Sequence, residues 1–312
     1  MFNKVSNKSL LIVFGALIVI AAVYIIVESS RGERTFKSDI VNIDTTKVTA
    51  ISIYPRATNH TEVRLYKEGD KNWKVKLNDN RTASVPESKI KSLLNMLVQI
   101  KPERVAAQDK SRWAEFKVDT AGTRVKVFEG KDNTLDLIVG KFSFQQPRQM
   151  NTFVRLNAED EVYETEGFLD MAFNQKPNSF RNDQIVDDNI SSWKKLTFTY
   201  PDNSFELVKN DNSWTINGTK TDSAKTANYL RTLSHLNSGS FIDNPPQSDL
   251  QKADFTLTIE STSKGAIVVT AYGDTTETIV TSSQNEGAYF NGKMNGLLQK
   301  IFVSQEHLSS SK

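Results

Sequence analysis

Two stretches decide the fold: Val63-Arg64-Leu65-Tyr66-Lys67, followed by a polar turn and Trp73, and Phe205-Glu206-Leu207-Val208-Lys209, followed by a polar turn and Trp214. In each, apolar and polar residues alternate, which is the period of a half-buried strand, and the turn leads into a second alternating run. Tyr54-Pro55 precedes the first stretch as Tyr200-Pro201 precedes the second. Further on, Leu94, Leu97 and Ile100 fall against Leu230, Leu233 and Leu236, each set at helical spacing. The expectation is an α+β protein of two similar units, each a mostly antiparallel β-sheet with a packed amphipathic helix. The interval between copies is far longer than the roughly 20–50 residues of a solenoid repeat, so the units are duplicated domains.

Working outward, the first unit spans 46–181. Val48, Ile51 and Ile53 open it as a strand, and the run after Glu68-Gly69-Asp70 closes a hairpin at 72–77. Ser84 and Glu87 have the spacing of a capping box, with Pro86 in the first turn. A helix carrying Ile90, Leu93, Leu94, Leu97 and Ile100 then ends before Pro102. Strands follow at 124–128, 135–139, 152–156 and 161–164, with a closing helical turn over 166–173. A linker at 182–191 leads to the second unit, 192–308. There the strands fall at 196–200, 205–207 and 213–216, before a helix from Ser223 bearing Ala227, Leu230, Leu233 and Leu236. Four more strands, at 255–259, 266–272, 278–281 and 288–290, precede an amphipathic helix with Met294, Leu297, Leu298, Ile301 and Phe302. The tail 309–312 is expected to be disordered.

Ahead of both units lies an uncharged apolar run at 10–27, long enough at about 1.5 Å per helical residue to cross a bilayer. It exceeds the usual apolar region of a cleaved signal and closes on Tyr24, Ile25, Ile26, Val27 and Glu28 without a small-residue cleavage pattern. It reads as a retained transmembrane anchor, and with no cysteine in the chain it is not a lipoprotein signal. Lys4 and Lys8 precede it with no acidic residue, so residues 1–9 are expected in the cytoplasm. A polar stalk at 28–45 then leads to periplasmic or extracytoplasmic domains, in a single-pass protein of the bacterial inner membrane.

Charge and composition narrow the function classes. The chain has 39 Lys plus Arg and 37 Asp plus Glu; the two lysines before the span are the only charges ahead of Glu28, so beyond it the signs balance at 37 each. Such balance gives no electrostatic reason to bind nucleic acid. Without cysteine there are neither disulfides nor thiol chemistry, which calls for ordinary hydrophobic cores.

No stretch spells out a reaction. His60, His235 and His307 have no second ligand at metal spacing and read as surface residues. Ser88 with Lys91, and Ser192 with Lys195, match S-x-x-K, but no S-D-N or K-T-G accompanies either pair. Glu159, Asp160, Glu161, Glu164 and Glu166 cluster, as do Asp187 and Asp188; carboxylates so placed could serve a glycosidase or calcium, and solvated strand ends are the simpler reading. Trp73 and Trp214 could stack on sugars, but their equivalent places in the two copies favour core packing. No catalytic, cofactor-binding or metal residue is assigned, and no cofactor is expected.

Phe116-Lys117-Val118-Asp119, then Leu137-Ile138-Val139-Gly140-Lys141, Thr152-Phe153-Val154-Arg155 and Val162-Tyr163, resemble the bacterial domain-of-unknown-function 4340 (DUF4340) family. Phe180-Arg181-Asn182 with Gln184-Ile185-Val186 is similar to the stretch that commonly ends that family's strands. The second copy lacks a clear equivalent of 137–141. The resemblance implies membrane-anchored extracytoplasmic proteins, some associated with ABC-type transport systems of the gliding-motility auxiliary kind. It carries no catalytic residues. The function expected is therefore that of an accessory or scaffold subunit working by protein contacts, with ABC permease and ATPase subunits as partners and the bilayer held through 10–27. The alternatives are an envelope carbohydrate or polymer-binding module, which needs an exposed aromatic groove, and a periplasmic hydrolase, which needs converging carboxylates.

Overall fold

The structure is a computed structural model and describes residues 15–19, 37, 39–69, 72–77, 81–145, 149–211, 213–273 and 278–309. Of the apolar run at 10–27 only 15–19 is described, as helix; the anchor, its flanks and its orientation otherwise lie outside the described residues. Among the described residues no helix is long and apolar enough to cross a membrane. The chain divides into two compact units, Met1–Tyr66 with Ile90–Gln175, and Lys67–Lys89 with Lys176–Lys312. Both are mostly antiparallel sheet with a few helices, an α+β architecture.

In the first unit, β1 (Val48–Tyr54) is central, pairing antiparallel with β2 (Val63–Glu68) on one side and β6 (Thr123–Glu129) on the other. Ile51 faces Leu65 and Val127 across these ladders, and all three are fully buried, as the alternation of apolar residues requires. Beyond β6 come β7 (Asp132–Gln145), β8 (Gln149–Leu156), β9 (Val162–Glu166) and β5 (Pro102–Ala107). Pro102 begins β5 at the sheet edge, where its missing N–H removes no ladder bond. Sequence periodicity missed β5 because its charged Glu103 and Arg104 interrupt the apolar pattern. A separate apolar cluster, Phe116, Val118, Ile138, Phe153 and Val162, closes under the half-buried Trp113.

The second unit holds an eight-stranded sheet ordered β14-β13-β12-β11-β16-β17-β18-β19: Thr219–Lys220, Ser213–Ile216, Ser204–Asn210, Trp193–Thr199, Phe255–Ser261, Gly265–Tyr272, Ile279–Ser282 and Phe290–Asn291. One continuous core joins Phe198, Leu207, Leu233, Leu257, Val269 and Phe290. Residues 184–187, within the stretch read as a linker, form β10 (Gln184–Asp187), which pairs with β15 (His235–Asn237). Ile185 and Val186 are fully buried in this core, which is why the segment takes strand rather than loop geometry. The hairpin of β3 (Asn72–Lys76) and β4 (Thr82–Val85) belongs to this unit by its contacts.

Two helices of twelve residues follow the hairpins β3–β4 and β13–β14: α1 (Glu87–Val98) and α2 (Ser223–Ser234). The capping box at Ser84 does not form. Ser84 sits in β4 opposite Lys74, its carbonyl accepts from the Asn182 N–H at 2.7 Å, and the helix begins after Pro86. Asp222 caps α2 instead from its own side chain, accepting from the N–H groups of Ala224 and Lys225. The inward stripe of α2 is Thr226, Tyr229, Leu230 and Leu233, while Ala227 is exposed. Leu236 is buried from β15, beyond the end of the helix. Of the expected stripe Leu230, Leu233 and Leu236 are buried; Thr226 and Tyr229 join them with their hydroxyls bonded, Thr226 to Thr221 at 2.8 Å and Tyr229 to the Ile301 carbonyl at 2.7 Å.

The final helix is shorter than its apolar pattern. Asn295 and Gly296 take left-handed backbone, so the helix runs only over Leu297–Ile301 and leaves Met294 exposed. A further turn, Gln305–Leu308, buries Leu308, and Ser309 bridges to Thr221, so the first residue of the expected disordered tail is ordered.

Candidate functional site

The residues that the sequence singled out are dispersed rather than gathered. His60, His235 and His307 are exposed, and His235 lies 3.4 Å from the Asp187 carboxylate. Ser88 and Lys91 are both exposed on α1. Lys195 is held by Glu206 at 3.2 Å and Glu260 at 2.9 Å, while the Ser192 hydroxyl lies 2.9 Å from Asp188. Trp73 is buried, and Trp214 is half-buried against the second core.

The acidic cluster also separates. Glu159 bonds Lys37, and Asp160 lies 3.6 Å from Lys110. Glu164, expected in solvent, is instead buried. It pairs with Arg104 at 2.5 Å and accepts from Asn151 and Ser143 at 3.1 Å each. A carboxylate on β9 can be buried there because cross-strand neighbours supply its donors. Among the described residues no three His, Asp or Glu side chains converge as metal ligands.

Asp188 is a second correction. It is 6% exposed, and its oxygens accept from Trp193 Nε1 at 2.9 Å, Ser192 Oγ at 2.9 Å and Ser263 Oγ at 2.5 Å. Burial raises its pKa, but the hydroxyl and indole donors outweigh that and hold the carboxyl down at about 2. This is a structural anion tying the turn after β10 to the start of β11, not a solvated pair with Asp187. No local pattern marks it, since Ser261 and Ser263 arrive from a distant hairpin.

Two further features stand out among the described residues. One is in the first unit. β7 is the longest strand among the described residues, and after a register shift between Val139 and Phe142 it continues with β8 into an arm whose tip, Phe144–Gln145 paired with Gln149–Met150, extends past β9. Phe144 lies opposite Met150 and Phe142 opposite Thr152, so the three large apolar side chains share one face. Phe142 is 52%, Phe144 58% and Met150 47% exposed, and the Phe168 ring meets Phe142 edge-on at 4.8 Å. Isolated exposed apolar residues mean little, but a contiguous aromatic face marks a contact surface.

The other is a cleft of about 460 Å³ whose lining residues all belong to the second unit. Arg81, just before β4, and Arg181, before β10, point at the same oxygen of Asp243. Arg181 Nη1 donates to Asp243 Oδ1 at 2.9 Å, and Arg81 Nη1 lies 3.1 Å from that atom. The Arg181 guanidinium stacks on Phe241, its central carbon 3.7 Å from the ring centroid, and the residue is 5% exposed. The Arg181 carbonyl accepts from Lys89 at 2.8 Å, and Asn285 Nδ2 donates to the Asn182 carbonyl at 2.8 Å, so the backbone carrying the arginine is held on both sides. Burial raises the pKa of Asp243, and the two arginines more than offset this and leave it lowered. Arg181 lies in the stretch of family resemblance, but nothing local pairs it with Arg81 or Asp243; the tertiary fold does.

Residues 73–256, more than half of the chain, match the model of the Domain of unknown function (DUF4340). The chain belongs to that family. No curated protein and no solved structure matches it.

Proposed function

We propose that this member of the DUF4340 family is a membrane-anchored, extracytoplasmic accessory subunit of an ABC-type transport complex, acting through protein contacts rather than catalysis. The observation that carries the reading is the aromatic face of the β7–β8 arm. Phe142, Phe144 and Met150 leave apolar area in water that a partner surface would bury at roughly 25 cal/mol per Å². The apolar run at 10–27 supports a tether in the same membrane as a permease. The polar groups that could have hinted at hydrolysis, Glu164 and Asp188 above all, serve as buried structural carboxylates.

The same reading holds that the chain is a duplication. Strand order β2-β1-β6-β7-β8-β9 in the first unit parallels β12-β11-β16-β17-β18-β19 in the second, and the hairpins β3–β4 and β13–β14 are each followed along the chain by a helix of twelve residues. A duplicated sheet offers two similar faces, of which one carries the exposed arm.

The test is co-purification from gently solubilised membranes with a C-terminal tag. Permease and ATPase recovered in fixed ratio, and lost when Phe142, Phe144 and Met150 are all changed to Ser, would support the reading. Recovery of the tagged chain alone under several detergents would refute it.

A further inference from the structure

We infer that the outward face of the second unit's sheet, with the groove at its β17–β18 end, is a binding site for a neutral polysaccharide chain. The inference goes beyond the accessory-subunit reading and uses none of the residues of the β7–β8 arm. It begins from register. Thr199 on β11 lies opposite Thr256 on β16, Thr256 opposite Thr270 on β17, and Thr270 opposite Thr281 on β18. Each is next in sequence to a fully buried residue, Phe198, Leu257, Val269 or Val280, so the four threonines stand in one row on the side away from the core. With strands roughly 4.8 Å apart, the row spans about 14 Å and repeats at close to the length of one sugar unit in an extended glycan.

The face is also uncharged. Thr197 opposite Thr258, and Thr258 opposite Val268, form the neighbouring row. None of these seven side chains carries a charge, in a chain of which 24% is charged. Lys195, Glu206 and Glu260, which border the two rows, are paired with one another at 3.2 and 2.9 Å. Among the described residues, no side-chain hydrogen bond engages the hydroxyls of Thr199, Thr256, Thr270 or Thr281. A solvent-facing threonine needs no protein partner, but four in register present donors and acceptors at a fixed spacing.

At the β17–β18 end this face deepens into a groove of about 370 Å³. Val268, Thr270 and Thr281 floor it, and Leu250, Tyr272 and Tyr289 line it. Both tyrosines are half-buried, and among the described residues neither side chain makes a ring contact or a hydrogen bond. Glu286 is the one charged residue of the lining among the described residues. A sugar ring carries hydroxyls at its rim and an apolar C–H face, which a tyrosine ring covers while its own hydroxyl still reaches a polar group. An anionic polymer would meet no cation in this groove, and a protein partner would find little of the apolar area that interface cores bury. A neutral glycan matches both the hydroxyl row and the two rings.

The test is affinity electrophoresis of the full chain, solubilised in a detergent without a sugar headgroup, in native gels containing dextran, laminarin, mannan or polygalacturonate. At least one of the three neutral glycans is expected to retard the protein, and the anionic polygalacturonate is not. Tyr272→Ala and Tyr289→Ala should each weaken binding about tenfold, the effect of losing a stacked ring. Changing Thr270 and Thr281 together to Val removes two hydroxyls and keeps strand preference, so binding should fall about fivefold or more with urea unfolding unchanged. A loss of binding without a loss of stability cannot come from misfolding. Retardation by none of the neutral glycans, equal retardation by polygalacturonate, or binding indifferent to the paired threonine change would overturn the inference. Self-association of the chain that the same variants abolish would also overturn it, by assigning the face to a second copy.

Discussion

Replacing Asp188 by Asn should destabilise the second unit near neutral pH and lose that effect in acid. The carboxylate is buried and accepts from Trp193, Ser192 and Ser263. Its pKa is lowered from the ordinary 3.8 to about 2. At ~1.4 kcal/mol per pKa unit, the ionised form contributes about 2 kcal/mol at pH 7. Because the folded value is depressed, that contribution is complete above about pH 4 and disappears as pH falls through about 2. An asparagine keeps the shape but removes the charge and turns an NH₂ toward groups that are themselves donors. The variant should therefore unfold about 2 kcal/mol more easily than the parent at pH 7. The gap should close toward pH 2, where the parent carries a neutral carboxyl of the same shape. Urea unfolding of the full chain, followed by tryptophan fluorescence, reports it directly because Trp193 donates to the carboxylate. A difference below about 0.5 kcal/mol at pH 7, or one unchanged between pH 6 and pH 2.5, would refute the assignment of Asp188 as a stabilising buried anion.

Two further outcomes follow from the first unit. Arg155 is 3% exposed, lies 3.6 Å from the Trp113 ring centroid and donates to the carbonyls of Val118, Leu156, Asn157 and Glu159 at 2.9–3.1 Å; Arg155→Ala should cost about 3 kcal/mol in urea unfolding, with Arg155→Lys recovering only part of it. At Gly140 an added Cβ would stand 2.3 Å from the Phe116 carbonyl oxygen and 2.6 Å from Val118 Cγ1, so Gly140→Ala should lower stability by about 2 kcal/mol or more, measured in the same way.

The alternation around Ile51, Leu65, Leu196 and Leu207 was enough to predict their strands, because a sheet with one face in a core must bury every second residue. Six residues matched by helical spacing, Leu94, Leu97 and Ile100 with Leu230, Leu233 and Leu236, are all buried, although Ile100 and Leu236 lie just past their helix ends. The reading failed where polar residues do apolar work. Thr226 and Tyr229 face the core of the second unit because their hydroxyls find partners there. Ser84 fits a capping box in one dimension, but strand pairing with Lys74 claims it first.

The carboxylates divide on the same ground. Glu164 and Asp188 look like solvated charges in a list of residues, and their burial depends on donors from other strands. By itself, the sequence determined the α+β class, most strands, both long helices, the balanced charge beyond residue 27 and the apolar run before it, since these follow from local periodicity and composition. Only the tertiary structure decided which charges are buried, that a distant hairpin returns Ser261 and Ser263 to Asp188, and that Arg81 and Arg181 meet at one oxygen of Asp243. Such sites are made by residues far apart in the chain, and the free energy that places them comes from the packing of whole sheets, which no short stretch of sequence contains.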